Sequence, residues 1–495
     1  NLLALSIAAM IGGVSGMANA AVFLSTEATP STNLTNAASP ATALNPTVTG
    51  VGHILTIPYF STQGGNATLL NITNTDIGNG KAVKLRFRGA ANSDDIFDIT
   101  VFLSPGDVWS AAVSASGELS ALNTNDTSCT LPSIADIKAQ GGLFKTGRVN
   151  PANSNAETRE GYVEILNTAD IPAGSALFTA IKHVAGKAPC TASVMDAQAN
   201  DLAAGSATNA PKARGYSWPT GGLYANWILV NTTDKASFSG EAVAIRAESA
   251  AGVNGAGNIV WFPQTTDAPA LPAAGVAGFT ADPLLQSAGF AGQVANYDFP
   301  DLSTPYTSTT AVTAAGSAAQ ASNLAAALAT KSVTNDFLVG GGASFTTDWV
   351  FSMPTRRYAI AVDYAAKVLR NNAGVAAHFD LTNTSLNTTT LQACVTPGGS
   401  MKGYSREEDT QSTFVISPDT ALKLCGETSV LTFGSEKVLK AAIASRNVPV
   451  NYAEGWLTLG TTGATNAGLP VIGYAATKAA GATNLGGTWT HRTSK

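Results

Sequence analysis

Four histidines, His53, His183, His378 and His491, are by type the side chains best suited to general acid–base or metal chemistry. No two of them have the spacing of a zinc site such as His-Glu-x-x-His, and the chain has neither a Gly-x-Ser-x-Gly elbow nor a phosphate loop. Gly252, Gly255 and Gly257 imitate a nucleotide-binding loop, but no strand–helix context surrounds them. Two acidic clusters offer oxygen ligands of the kind calcium takes: Asn92-Ser-Asp-Asp95 with Asp98, and Glu407-Glu408-Asp409. Asp94, Asp95 and Asp98 are the candidate metal set. Neither cluster has the spacing of an EF-hand loop, and polar loops at strand ends explain both equally well. A glycosidase needs two carboxylates across a cleft, and no pair stands out. The reading is therefore of a protein that is not an enzyme, with no catalytic residue, no cofactor and calcium as a possible ligand.

The basic residues gather locally at Lys84, Arg86 and Arg88 and at Arg356-Arg357. A solvated strand face is the default reading, and docking of an acidic polysaccharide or of a neighbouring subunit's acidic loop is the sharper one. Trp218, Tyr224 and Trp227 are candidates for a glycan-binding groove, against the plainer reading of buried strand anchors. Sequons occur at Asn66, Asn71, Asn231, Asn383 and Asn387, as chance allows in a chain so rich in Thr and Asn.

The elements that position these residues are strands. Val83, Leu85 and Phe87 alternate with Lys84, Arg86 and Arg88, the period of a strand with one buried and one solvated face. Phe97, Ile99, Val101 and Leu103 repeat the pattern, and Gly64-Gly65, Asn79-Gly80 and Pro105-Gly106 supply hairpin turns. The fold class expected is mainly β, with antiparallel, immunoglobulin-like β-sandwich regions and a few short helices. Further strands are expected at 161–166, 176–183, 223–230, 241–248 and 258–262. Others are expected at 344–353, 357–364, 376–381, 413–416, 430–433 and 456–459. Short helices are expected over Ser133–Gln140, around 195–204, and from Pro418 to Leu424 with Ser417 as N-cap. Leu70-Asn-Ile-Thr-Asn-Thr-Asp76 with Gly80-Lys-Ala-Val-Lys-Leu-Arg86 is echoed by Leu229-Val-Asn-Thr-Thr-Asp234 with Gly240-Glu-Ala-Val-Ala-Ile-Arg246. The same strand ending recurs at Ile165–Thr168 and Leu381–Thr384, which suggests related strand–turn–strand units that fold straight back as hairpins.

Residues 1–20 read as a signal peptide, incomplete at its start, with Ala18-Asn19-Ala20 as the cleavage site. Residues 21–50 form a Thr/Ser/Asn/Pro-rich arm, either flexible or ordered against another subunit. Residues 51–264 form β-sandwich region I, 265–335 an Ala/Pro-rich and partly helical connector, and 336–495 β-rich region II with an extended tail from Gly460. An exported chain with Cys129, Cys190, Cys394 and Cys425 is expected to form disulfides. Of the three pairings possible, the sequence-local one, Cys129–Cys190 and Cys394–Cys425, is preferred. Only 12% of residues are charged and the net charge is −5, which argues against a nucleic-acid partner and for a surface that packs cheaply against neighbours.

The run Asn79-Gly-Lys-Ala-Val-Lys-Leu-Arg-Phe-Arg-Gly-Ala-Ala-Asn-Ser-Asp-Asp95, followed by Phe102-Leu-Ser-Pro-Gly-Asp-Val-Trp109, resembles secreted surface-layer proteins of Gram-negative, betaproteobacterial-type bacteria. The resemblance is clearest over 51–110. It implies an extracellular, self-assembling envelope subunit with copies of itself as partners, calcium dependence as in surface layers generally, and no catalytic residue. Outer-membrane polysaccharide is a further possible partner. The expected function is a structural cell-surface protein, with an adhesin or carbohydrate-binding protein as the alternative and a secreted hydrolase after that. Lattice assembly is expected to use exposed strand edges and the 21–50 arm.

Overall fold

The alternating strands form as expected, and Asp95–Leu103 folds back on Gly80–Gly89, but most of the neighbouring connections cross between two sheets. The computed structural model describes residues 21–26, 32–199, 210–261, 300–310, 314–364, 366–414, 421–443, 445–481 and 484–495. The leader expected over 1–20, the Ser417–Pro418 cap, Phe262 and the connector up to 299 lie outside them. Ile54–Ser61, Gly80–Gly89, Asp95–Leu103 and Glu160–Ile171 join an eight-stranded antiparallel sheet that also includes Val243–Ala250. Asn66–Asn74, Val108–Ser116 and Leu223–Asn231 belong to a five-stranded sheet facing it. The Gly64-Gly65 and Asn79-Gly80 turns are therefore crossings between sheets. The sequence echo survives in that form: its two halves each run from the five-stranded sheet, Asn66–Asn74 and Leu223–Asn231, to the eight-stranded one, Gly80–Gly89 and Val243–Ala250. The second half adds a hairpin strand, Ala236–Glu241, on the way. Asn side chains do turn the chain, since Asn74 and Asn231 accept from the N–H of Asp76 and Asp234. The other two matches are not strand endings. Asn167-Thr168 sits at a bulge inside Glu160–Ile171, and Thr384 begins a strand.

Leu55, Ile57, Val83, Leu85, Phe87, Val163 and Ile165 fill the space between the two sheets with Leu70, Ile72 and Trp109. Region II is a second sandwich of two five-stranded sheets. Val333, Phe337, Leu457 and Leu459 of one face Trp349, Phe351, Leu431 and Phe433 of the other. The strand Ser332–Leu338 starts this sandwich earlier than expected. The tail from Gly460 is no exit segment: Ile472–Ala479 runs through the middle of a sheet, buried along almost its whole length.

Several segments adopt other structures than their composition suggests. Residues 176–181 are a helix, because Ser175 caps it by accepting from the Phe178 N–H at 2.9 Å and competes out the β pattern. Ala376–Leu381 and 413–414 are irregular, and 421–423 are not helical. Arg356–Ala359 is a helical turn before a strand at Ile360–Asp363. The helix Ile134–Ala139 forms where expected, capped by Ser133 and stopped by Gly141 and Gly142 at positive φ. The helix Ala314–Leu328 docks through Ala321, Leu324, Ala325 and Leu328, an i, i+3, i+4, i+7 stripe whose alanines let it lie close.

The described residues of the 21–50 arm pack against their own chain. Ala21–Phe23 pairs with Ile259–Trp261, and Ala43–Thr47 pairs with Val243–Ala250. Cys129 bonds Cys190 and Cys394 bonds Cys425, across Cα separations of 5.4 and 3.9 Å. Loss of the Cys129–Cys190 bridge as a double serine variant is expected to cost about 2–4 kcal/mol, read as a lower denaturant midpoint against the oxidised protein.

Candidate functional site

The strand Gly80–Gly89 decides the architecture of the most highly charged place in the molecule. Its apolar residues face the five-stranded sheet, as the period of two requires. Its cations do not face water: Lys84, Arg86 and Arg88 are each at most 1% exposed. Cross-strand register sets Asp98 opposite Arg86 on one side and Glu164 opposite it on the other. Asp98 binds Lys84, and Arg86 lies 3.1 Å from Asp98 and 3.2 Å from Asp95. Arg88 is 3.5 Å from Glu164 and 3.6 Å from Asp301, and Asp301 also binds Arg357. Glu427 completes the seam, 2.7 Å from Arg356 and accepting from the Arg357 N–H at 3.1 Å. Around it, Ile54, Leu166 and Ile245 of the eight-stranded sheet share one apolar core with Trp349, Phe351 and Tyr358 of region II. The eight-stranded sheet is thus covered on both faces.

The loop that follows this strand is the plug of the joint. The Ala90 carbonyl accepts from the N–H groups of Glu427 and Thr428. Asn92 donates to the Leu391 carbonyl at 2.7 Å and accepts from Ala393 N–H at 3.2 Å, and Tyr364 donates to Asp94. Gly426, at φ +90°, passes so close to Ala90 that a Cβ there would sit 2.5 Å from its carbonyl oxygen. The three acids expected to offer calcium ligands are therefore distributed otherwise: Asp94 to Tyr364, Asp95 to Arg86, and Asp98 to Lys84 and Arg86. Among the described residues no group of three or more His, Cys, Asp or Glu side chains is arranged to hold a metal ion. Glu407 pairs with exposed Arg406, and Asp409 closes a turn on Ser405.

No family model matches the chain, and neither a curated protein nor a solved structure matches it. The reading of its sites rests on geometry.

That geometry accounts for three histidines as structural. Burial holds His53 down to about 3; its Nδ1 accepts from the Ala247 N–H at 3.1 Å, so its Nε2 donates to the Gly255 carbonyl at 2.9 Å. His491, lowered to about 4 by burial, donates to the Val350 carbonyl in the same way. His378 bonds the Gly468 carbonyl. His183 alone stands in a hydroxyl–imidazole–carboxylate row, with Thr127 Oγ1 3.3 Å from Nε2 and Asp107 3.4 Å from Nδ1. The Thr127 hydroxyl donates to the Gly186 carbonyl at 3.2 Å, so its oxygen accepts from the imidazole and the row ties loops together. Trp218 and Trp227 are buried anchors: Trp218 donates to the Thr35 carbonyl, and Trp227 packs on Tyr474 with ring centroids 4.7 Å apart.

Sequence reasoning named the cations and Asp94, Asp95 and Asp98 but not their partners Glu164, Asp301 and Glu427. The available signal was Tyr162 and Glu164, which fall on one face of a strand whose other face is apolar. Burial raises the carboxyls of Glu164 and Glu427 against the pull of their arginines. It also raises Asp98, but Lys84 and Arg86 outweigh it and hold that carboxyl below its usual value. Asp98→Asn is expected to cost about 3–5 kcal/mol, since it leaves buried cations uncompensated; denaturant melts measure it. Asp348 is pushed by burial from 3.8 to about 7 while it accepts from the Leu439 N–H. Its folded form holds a proton that the unfolded chain releases, so stability falls as pH rises from about 4 to about 7, by up to about 4 kcal/mol. Asp348→Asn is expected to remove that slope, raising the melting temperature at pH 8 and leaving it unchanged at pH 4.

Proposed function

We propose that this chain is a structural protein of the cell exterior that works by assembling with copies of itself. The observation that carries the reading is where the charges go. Among the described residues eight Lys and Arg side chains and twelve Asp and Glu side chains are buried, of 28 and 33 in the sequence. A chain already poor in charge spends a third of what it has on its own interior, and the surface left over is neutral and Thr/Asn/Ser-rich. Such a surface has fewer ions to desolvate when it associates.

Export is supported by the two disulfides, which persist in oxidising compartments. Ala21, the residue after the Ala18-Asn19-Ala20 site, is the register partner of Trp261. Among the described residues no helix is long and apolar enough to cross a membrane. The expected route to assembly changes, because the arm is used internally and several outer strands, such as Cys129–Leu131, Thr410–Gln411 and Arg492–Ser494, are only two or three residues long. Contacts between copies then come from faces.

A glycan-binding reading has its own observation, at a place other than Trp218. Tyr404 and Trp456 stack at 4.2 Å on the outward side of a sheet, with Trp456 40% exposed beside Lys402 and Asp336. Trp456→Ala is the variant that tests it, by loss of retention on immobilised polysaccharide.

Negative-stain microscopy of the mature chain, with calcium and with chelator, tests the assembly reading. Ordered sheets or tubes are the expected result. Dispersed monomers under both conditions would overturn it, and order that vanishes with chelator would add calcium to it.

A further inference from the structure

The outward face of the five-stranded sheet in region I is an extended regular surface without charge. On its central strands, Asn66–Asn74, Val108–Ser116 and Leu223–Asn231, residues alternate between core and outside. None of the outward positions on these three strands carries a charge at neutral pH. Register sets Ala112, Leu69 and Ile228 side by side across them, and Ser110, Asn71 and Asn226 in the next row. Across the strand direction, charge begins at the two rims. Lys138, from the helix Ile134–Ala139, borders the depression over Leu69 and Ala112 on one side. Glu241, register partner of Asn226, stands on the other. Asp126, at the Lys138 rim, is already held by the Ser110 N–H and Ser128.

Resting on the assembly reading, we infer that this face docks on the same face of a second copy, about a two-fold axis running along the strands. Such an axis reverses the strand order, so the Lys138 rim of one copy meets the Glu241 rim of the other. The area is adequate. Three strands of nine residues and outer strands of five and six, at a spacing of about 4.8 Å and about 3.3 Å per residue, give about 600 Å² per copy. The pair buries about 1,200 Å², at the lower end of the range of about 1,200–2,000 Å² of stable interfaces. Two twisted sheets meeting face to face with nearly aligned strands is the packing already used inside each sandwich. The contact is isologous and closes a dimer, so a continuous layer needs a second, different contact and the dimer is its building block.

The test is light scattering on the size-separated mature chain. Leu69→Lys with Ile228→Lys is expected to halve the scattering mass of the smallest assembled species, with melting and disulfides unchanged. Lys138→Glu is expected to weaken the dimer at least tenfold, and Lys138→Glu with Glu241→Lys to restore it. The rim pair lies outside the three central strands, so it carries the test if the lysine variants misfold. A dimer that survives both sets of changes overturns this face and leaves self-assembly standing. A wild-type chain that is monomeric at every concentration overturns self-assembly itself.

Discussion

Three buried cations on one strand constrain the rest of this molecule. Lys84, Arg86 and Arg88 are inseparable from Val83, Leu85 and Phe87, because a strand that buries one set must present the other on its opposite face. Once that face is covered, each cation needs a carboxylate within reach. The acids come from two directions: Asp95, Asp98 and Glu164 from neighbouring strands, and Asp301 from beyond the first sandwich. Asp301 and Glu427 in turn neutralise Arg357 and Arg356. The seam is not strong evidence of net stability, since well-packed apolar residues often do as well. Its value lies in specificity, because an out-of-register joint would strand charges in a dry interior.

Much of the fold was legible because strands with one apolar face write their period plainly. The strand at Gly80–Gly89, the helix capped at Ser133 and the pairing of all four cysteines follow from local pattern and separation. What local pattern cannot supply is what lies on the far side of a strand. Lys84, Arg86 and Arg88 read as solvated since antiparallel sheets commonly leave one face to water, and nothing within the strand reports a second sandwich. The same blindness left calcium open beside polar loops for Asp94, Asp95 and Asp98, and a glycan groove open beside buried anchors for Trp218 and Trp227. In the helix at Ala176–Ile181, one capping serine outweighed a β-like run. The tail from Gly460 misled through its glycines and threonines, which fit a crowded central strand such as Ile472–Ala479 as well as they fit a loop.

The proposed function joins these observations through the allocation of charge. About a third of the charged side chains are held inside, and those of the seam fix how the two sandwiches meet. The faces left outside carry hydroxyls, amides and small apolar groups, which can touch another copy without repulsion. The 79–109 run fits this division of labour, since it builds the strand and plug of the joint rather than any cleft.

The plug also sets an order of events. Asn92 bonds the carbonyl of Leu391, and its neighbour Asp94 is bonded by Tyr364, partners separated along the chain by 299 and 270 residues. A chain that emerges from its N-terminal end therefore displays the cationic comb long before Asp301, Arg357 and Glu427 arrive to cover it. During that interval the eight-stranded sheet has one open face, on which Lys84, Arg86 and Arg88 stand beside Ile54, Leu166 and Ile245. Closure of the seam by Asp301, Arg357 and Glu427 then covers that face, so the joint between the two sandwiches forms only after most of the chain has been made.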